Sequence, residues 1–264
     1  LRTAKITVGE VPMIVIKSRE DKPFISPVFK ENFCAVAVPC SEAYVPYLSV
    51  WLQSLLETSS KEHNYDIIVL ENDISEKNMD KLMSMIASHE NISLRFFNPS
   101  RYIDASKIKV EKKYLSSIST YRIAVNKFMK DYSKVVIAEV DLIMKRDIKD
   151  LYDTNIGSAP IAAEIDPFYI MNYSRISWLS DFVCNKLGMS DKYRYVNTGV
   201  MILNIDSFNE HGYTEKLFDF LQKTECSCLE QDAMNGLFDD RIHLLDGRWN
   251  ALHCDEKRER LIND

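Results

Sequence analysis

The stretch KVVIAEVD, Lys134–Asp141, decides how the fold of this chain is interpreted. Val135–Ala138 form an unbroken apolar run, which is typical of a central strand buried on both faces of a parallel sheet. Two carboxylates, Glu139 and Asp141, follow two residues apart, and an extended chain points such side chains to the same side. Ligands of open α/β sheets bind beyond the carboxyl ends of the strands. The pair is therefore predicted to lie in a ligand-binding crevice.

The charge of this pair needs a partner. Two like charges held close together repel each other unless a cation bridges them or one carboxyl group stays protonated. Carboxylate oxygens are the ligands that hard divalent ions prefer, so Glu139 and Asp141 indicate Mg²⁺ or Mn²⁺ carrying a diphosphate. The plainer alternative is a pair of solvated loop acids that cap the next turn. The spacing by itself leaves both interpretations open.

The rest of the chain alternates between strand-like runs and helical periodicities. Leu48, Trp51 and Leu55, at spacings of three and four, indicate one face of a helix after the first strand-like run. The other predicted strands are CAVAV (Cys34–Val38), DIIVL (Asp66–Leu70), ISLRFF (Ile92–Phe97), PIAAEI (Pro160–Ile165) and VNTGVMILNI (Val196–Ile205). Strands that alternate with helices favour right-handed crossovers. We predict an α/β fold, a mostly parallel mixed sheet flanked by helices, in a Rossmann-like single nucleotide-binding domain.

Two segments at the margins are interpreted separately. Residues 1–31 contain a polar stretch with Pro23 and Pro27 and are predicted to be an N-terminal extension or the tail of an upstream module. The main domain is predicted over residues 32–264. Within it, a helix is expected from about Ser117 to Met129.

Composition excludes several classes of protein. The 264 residues have a formal net charge of −6, which argues against a nucleic-acid partner because such binding needs a basic face. The apolar runs are far shorter than the ~20 residues of a membrane span. The six cysteines include no C-x-x-C pair and no apolar N-terminal leader is visible, so reduced structural thiols and a cytoplasmic location are predicted.

Other nucleotide and phosphate enzymes lack their motifs here. The sequence contains no G-x-G-x-x-G and no G-K-[ST], which excludes the usual dinucleotide-binding and P-loop classes. A phosphatase with a nucleophilic D-x-D needs an aspartate first, and Glu139 occupies that position.

Several segments, taken in order, resemble family 8 of the retaining glycosyltransferases, the family of glycogenin and of bacterial lipopolysaccharide galactosyl- and glucosyltransferases. The segments are AVAVPCSEAYVPYLSVWLQSLL, ISTYRIAVNKFM, EVDLIMKRDIKDLYD, YVNTGVMILNID, EQDAMNGLF and GRWNAL. The resemblance covers about residues 33–250. It implies a GT-A type fold and transfer of glucose or galactose from a UDP-sugar to a saccharide or lipid-linked saccharide acceptor. Cell-surface polysaccharide or lipopolysaccharide synthesis, with peripheral contact at the inner face of the membrane, would follow.

The resemblance also assigns roles to residues. Glu139 and Asp141 match the family's Asp-x-Asp, which holds Mn²⁺ (or Mg²⁺) against the diphosphate. The implied donor-binding residues are Ser41 in the nucleotide loop, Tyr44 near the uracil, Arg122 on the donor and Asn197 along the donor sugar, and the implied catalytic residues are Gln231 on the β face of the anomeric carbon and its acidic neighbour Asp232.

Each assignment has a structural alternative. Asn197 and Gly199 are also compatible with a bulge in a strand, Gln231 and Asp232 with the cap of a helix. Arg122 is compatible with the surface of an amphipathic helix. The alternative for the whole chain is a catalytically degenerate sugar-nucleotide-binding or scaffolding module.

The chain departs from the family pattern in three places. Glu139 replaces the first aspartate, and the nucleotide loop reads Ser41-Glu42-Ala43 in place of a loop rich in Asp and Asn. The family's C-terminal H-x-x-G-x-x-K-P-W segment, which supplies a third metal ligand and a lysine for the diphosphate, has no match. We therefore expect a domain truncated at its C-terminus, with His253 a structural histidine.

Overall fold

The computed structural model describes residues 24–101 and 119–252, together with the backbone of a short antiparallel hairpin near the N-terminus. The strands are β1 (Lys5–Thr7), β2 (Pro12–Ile14), β3 (Phe33–Pro39), β4 (Asn64–Leu70), β5 (Ile92–Phe97), β6 (Lys134–Ala138), β7 (Ile161–Ile165), β8 (Val196–Asn204) and β9 (His243–Leu244).

Nine α-helices lie between these strands in the described residues. They are α1 (Val45–Thr58), α2 (Glu76–Ile86), α3 (Val125–Phe128), α4 (Ile148–Tyr152), α5 (Pro167–Asn172), α6 (Ser177–Asp181), α7 (Ile205–His211), α8 (Tyr213–Lys223) and α9 (Leu229–Phe238). Among the described helices, none combines the length and the apolar character needed to cross a bilayer.

Seven strands form one mixed sheet in the order β5-β4-β3-β6-β8-β7-β9. The strands β3, β4, β5 and β6 are parallel to one another, whereas β8 runs antiparallel to both β6 and β7. The chain winds from β3 outward to β5 and then returns to the other side of β3 for β6, so a topological switch point lies between β3 and β6. The predicted α/β fold with a mostly parallel mixed sheet is confirmed.

The core forms where the sequence patterns predict it. All residues of β3 after Phe33 and all of β6 after Lys134 are buried. On α1, Leu48, Trp51 and Leu55 are fully buried, as their spacing indicated. Each such side chain contributes roughly 1.5–3 kcal/mol through burial.

The segment before β6 differs from its prediction. The helix expected from about Ser117 to Met129 is a 3₁₀ turn over Ser119–Ala124 followed by the short helix α3. Residues 117 and 118 lie outside the described part of the chain, and residues 121–126 are all buried, so this part of the segment has no exposed face. Contacts on every side, and not amphipathic periodicity, determine its geometry.

The segment just before the predicted domain boundary at residue 31 packs on the sheet. Ile25 is buried and its N–H donates to the carbonyl of Phe128 at 2.6 Å. The guanidinium of Arg95 donates to the carbonyl of Ser26 at 2.9 Å and to both carboxylate oxygens of Asp66, at 3.1 and 2.7 Å. Both charged side chains are at most 2% exposed. Arg95 and Asp66 thereby bind the backbone of Ser26 and Val28 to the sheet.

Removal of one member of this pair should destabilise the protein strongly. Asp66→Ala leaves the Arg95 guanidinium buried without its counterion, and we expect the free energy of unfolding to fall by roughly 3–5 kcal/mol. Urea denaturation followed by circular dichroism measures this change. The matched control is Asp219→Ala, which breaks the exposed pair between Asp219 and Lys223 and should cost less than about 0.5 kcal/mol. Equal losses in the two variants would contradict a buried anchor.

Candidate active site

Polar side chains from four elements meet at one edge of the sheet. Glu139 follows the carboxyl end of β6, and Asp166 follows that of β7. Because β8 is antiparallel to both strands, its first residues, including Asn197, lie at this same edge. The first turn of α9 adds Gln231. The topology thus gathers these side chains beside the switch point, where ligands of such sheets bind.

A buried arginine holds the centre of this edge. Arg122 is 3% exposed and donates through Nη2 to Glu139 at 2.8 Å and through Nη1 to the Thr198 carbonyl at 2.9 Å, while Nη2 lies 3.0 Å from a carboxylate oxygen of Glu230. Burial acts to lower the pKa of Arg122, but Glu230, Glu139 and the more distant Asp141 outweigh it and raise the pKa. The alternative of a surface arginine is therefore wrong.

The two carboxylates predicted to hold a metal lie just beyond β6. Glu139 is 43% exposed at its side chain and gives one oxygen to Arg122, whereas Asp141 is exposed. β6 ends at Ala138, so the two acids stand in the chain that follows the strand. Within the described residues, no cluster of three or more His, Cys, Asp or Glu side chains has the geometry of a metal site. The assignment of Glu139 and Asp141 as metal ligands therefore stays a prediction.

An irregular stretch of β8 exposes backbone groups to the site. In the β7–β8 ladder Ala163 pairs with Met201, yet the next residue, Glu164, pairs with Asn197. Residues 198–200 therefore have no partner in β7, which is a bulge of the kind that re-aims a strand. The predicted structural alternative, a bulge at this position, is present together with the polar cluster.

Side chains of the site bond the backbone groups that the bulge frees. The N–H of Thr198 donates to Gln231 Oε1 at 3.1 Å, and the N–H of Gly199 donates to Asn197 Oδ1 at 2.8 Å. The Gly199 carbonyl accepts from the Glu139 N–H at 2.9 Å. A Cβ on Gly199 would lie only 2.9 Å from Asn197 Oδ1 and 3.0 Å from Glu139 Oε2, so glycine allows this close approach.

The amide of Gln231 is held at both ends. Its Nε2 donates to Asp166 Oδ2 and to the Tyr195 hydroxyl, both at 3.2 Å, and its Oε1 accepts from Thr198. Both amide hydrogens are therefore used, and one lone pair of Oε1 stays available. The orientation of this amide is fixed by its neighbours.

Asp232 lies behind Gln231 and is fully buried. Its carboxylate accepts from the Tyr195 hydroxyl and from the Cys228 N–H, the latter at 2.7 Å, and Cys228 is the N-cap of α9. Burial raises the pKa of Asp232, although these hydrogen bonds act to lower it. The contacts are those of the helix-capping alternative, while the catalytic role of Asp232 stays a prediction.

Asn197 is fixed as firmly as Gln231. Its Nδ2 donates to Asp166 Oδ2 at 3.1 Å, and its Oδ1 accepts from Asn250 Nδ2 at 2.9 Å. Asp166 is 4% exposed and Asn250 is 3% exposed. One buried carboxylate thus orients both predicted sugar-facing amides, those of Asn197 and Gln231.

The predicted nucleotide loop follows β3, next to β6. Ser41 is half-buried, and Tyr44 is 50% exposed with its ring 5.5 Å from that of Tyr47. The Glu42 carboxylate accepts from the backbone and hydroxyl of Ser75, and these hydrogen bonds, the backbone one most, lower its pKa. The loop therefore presents aromatic surface at the switch point, while the charge of Glu42 serves to join it to the start of α2.

Sequence reasoning missed four residues of this edge, namely Asp166, Tyr195, Glu230 and Asn250. Asp166 had a usable signal, since it follows an apolar strand as Glu139 does. Glu230 immediately precedes Gln231, but only its ion pair with Arg122 reveals a role. His253 lies outside the described residues.

The sequence is similar to a known protein family and to two curated proteins. Residues 35–263 match the family model described as Glycosyl transferase family 8. General stress protein A of Bacillus subtilis (strain 168) is 23% identical over 232 residues, which cover 84% of this chain and 75% of that protein. A putative glycosyltransferase of Haemophilus influenzae is 22% identical over 224 residues, covering 83% of this chain and 64% of that protein.

Solved structures share the fold. The apo structure of the bifunctional glycosyltransferase WbbM is 26% identical with a TM-score of 0.74, covering 86% of this chain and 40% of that one. The galactosyltransferase LgtC, solved with donor and acceptor sugar analogues, is 22% identical with a TM-score of 0.68, covering 81% of this chain and 74% of that one. The fold is thus of the GT-A type. Since the family model matches most of the sequence, the chain belongs to glycosyltransferase family 8.

Proposed function

We propose that this glycosyltransferase moves a hexose, glucose or galactose, from a UDP-sugar to a hydroxyl of a saccharide or lipid-linked saccharide acceptor, with retention at the anomeric carbon. The observation that carries the proposal is the joint anchoring of Gln231 and Asn197 by Asp166, beside the Arg122–Glu139 pair. The complex of LgtC with donor and acceptor sugar analogues supports the two substrate classes.

Glu139 and Asp141 are proposed to hold Mn²⁺ or Mg²⁺ against the donor diphosphate. Glu139 gives Oε1 to Arg122 and keeps Oε2, while Asp141 is exposed. Such carboxylate oxygens suit a hard cation whose other ligands come from phosphate and water. When bound, the ion would neutralise charge that builds on the departing UDP.

Gln231 is proposed to stabilise the developing positive charge of the sugar. The carbonyl oxygen Oε1 carries a partial negative charge, and three hydrogen bonds hold the amide group in place. A preorganised dipole of this kind stabilises a transition state without reorganisation. An amide is a poor nucleophile, so attack of the acceptor on the same face from which UDP departs fits these residues better than a covalent intermediate.

Tyr195 and Asp166 are proposed to keep the amide of Gln231 in that orientation. Tyr195 donates its own proton to buried Asp232 and therefore presents its oxygen as an acceptor to Gln231 Nε2. Asp166 accepts from the same nitrogen. Both amide hydrogens point at acceptors. A 180° flip of the amide would break these hydrogen bonds and is therefore unfavourable. We assign Asp232 this supporting role through Tyr195.

The proposed setting is the cytoplasm, at the inner face of the membrane where the acceptor is lipid-linked, in cell-surface polysaccharide or lipopolysaccharide synthesis. The six cysteines include no C-x-x-C pair, a pattern typical of reduced structural thiols.

The test of the proposal is a transfer assay on the protein with UDP-glucose and UDP-galactose, with and without Mn²⁺. We expect UDP release with one of the two donors, and NMR should show the donor's anomeric configuration in the sugar product. UDP binding without any turnover would instead favour the sugar-nucleotide-binding module. Inversion at the anomeric carbon would overturn the mechanism.

Asp141→Asn should remove the contribution of Mn²⁺ to UDP affinity, because it neutralises one of the two proposed metal ligands. We expect the Mn²⁺-dependent gain in affinity to fall by about tenfold or more, as a charged contact of about 1.5–3 kcal/mol is lost. Calorimetric titration of UDP with and without Mn²⁺ measures it. Asp150→Asn, an exposed acid in α4, is the control and should change nothing. An unchanged gain in Asp141→Asn would refute the metal site.

Gln231→Ala should lower kcat by about a hundredfold, since a preorganised partner of the transition state is lost. The donor KM should change less than about tenfold, because one neutral contact contributes only ~0.5–1.5 kcal/mol in the ground state. Steady-state kinetics separates the two effects. Equal losses in kcat and in donor affinity would make Gln231 a binding residue.

Tyr195→Phe tests the orientation of that amide in the same assay. It keeps the ring and removes one acceptor of Gln231, so kcat should fall by less than in Gln231→Ala, with the donor KM nearly unchanged. Tyr193→Phe is the matched control, since Tyr193 is 55% exposed. A wild-type kcat in folded Tyr195→Phe would rule out the positioning role.

A further inference from the structure

A pocket lies at the end of the strands opposite to the candidate active site. It has a volume of about 600 Å³ and is lined by the loop 156–160, by residues of α7 and by residues 241–243. The loop precedes β7 and residues 241–243 enter β9, so the pocket sits at the amino ends of these parallel strands. The active-site residue Asp166 follows the carboxyl end of β7. The two sites are therefore separated by the length of that strand.

The pocket is lined by basic side chains. Arg241 carries a positive charge and lies with His211 and His243 in the lining, and within the described residues no carboxylate does. Arg241 also forms no ion pair in the described part of the chain. The chain as a whole has a net charge of −6, so a pocket lined by basic side chains and by no described carboxylate differs from the average of the chain.

Hydrogen bonds and ring contacts fix the guanidinium of Arg241. Its Nη1 donates to the Tyr213 hydroxyl at 2.9 Å and its Nη2 donates to the carbonyl of Leu237. The guanidinium also lies over the rings of Tyr213 and Phe238, 5.6 and 5.8 Å from their centroids. These contacts fix the plane of the guanidinium and leave its Nε–H and one hydrogen on each terminal nitrogen for a further acceptor. A fixed fork of donors matches the oxygens of a phosphate group.

The histidines and hydroxyls complete the donor set. The ring of His211 stacks on Tyr213 with a centroid distance of 5.1 Å, and its Nδ1 lies 3.1 Å from the Ser207 carbonyl. A carbonyl only accepts, so Nδ1 carries a proton, and Nε2 donates to an anion when the ring is protonated. The hydroxyl-bearing residues Ser158 and Ser207 also line the pocket.

We propose that this pocket binds a small phosphate-bearing anion, at a site separate from the donor site. The dianion would take the Arg241 fork, the two imidazoles and the serine hydroxyls, and the volume accommodates a ligand of monosaccharide size. The proposal does not depend on the transfer reaction proposed above.

The experiment is an NMR titration of the whole chain labelled in histidine, with inorganic phosphate and separately with glucose 1-phosphate, at constant ionic strength. The chain has five histidines, and we expect saturable shifts at His211 and His243, with His63 and His89 as internal controls. Tighter binding of the ester identifies a sugar phosphate as the occupant class, and equal binding identifies the phosphate group alone. Absence of saturable shifts at His211 and His243 would overturn the proposal.

Matched variants locate the site. Ser158→Asp places a carboxylate in the lining of the pocket, and Ser158→Asn is its neutral control. Because Ser158 is exposed, both variants should fold. We expect Ser158→Asp to raise the Kd by about tenfold or more and Ser158→Asn by less than threefold, and equal effects of the two would contradict an anion site.

A second pair of variants and a competition complete the test. Arg241→Gln should raise the Kd by about tenfold or more, whereas Arg248→Gln, which removes an exposed arginine paired with Asp246, should leave it unchanged. Saturating UDP should leave the phosphate-induced shifts in place. Loss of the shifts on addition of UDP would assign the phosphate to the donor site and overturn the proposal.

Discussion

The buried guanidinium of Arg122 is the constraint on which the candidate active site depends. Moving a charge out of water costs several kcal/mol, and for Arg122 the interactions with Glu139, Glu230 and the carbonyl of Thr198 offset this cost. These partners belong to the end of β6, the first turn of α9 and the start of β8. One side chain therefore ties together the elements that carry the proposed metal ligands, the donor contacts and Gln231.

The bulge in β8 is the second determinant of the site. Residues 198–200 are left out of the β7–β8 ladder. Within this stretch the N–H of Thr198 bonds Gln231 and the N–H of Gly199 bonds Asn197. The site thus obtains rigid amides from a local break in strand pairing, and the absence of a Cβ at Gly199 lets Glu139 approach.

The candidate active site and the pocket around Arg241 lie at opposite ends of shared elements. β7 begins at the loop that lines the pocket and ends at Asp166, and α9 begins near Gln231 and ends shortly before Arg241. The two edges also differ in charge. Carboxylates dominate the active-site edge, where a cation and a cationic transition state are proposed, whereas arginine and histidine dominate the pocket.

The sequence by itself determined the elements and their class. Continuous apolar runs such as Val135–Ala138 can be satisfied only inside a covered sheet, so the strands, the α/β fold and the position of Glu139 beyond a strand end were all predictable. The order of motifs indicated the family. Only the tertiary structure decided the antiparallel direction of β8, the ion pairs of Arg122, the burial of Asp232 and the role of Asp166. Each of these depends on contacts between residues far apart in the chain, which local periodicity does not encode.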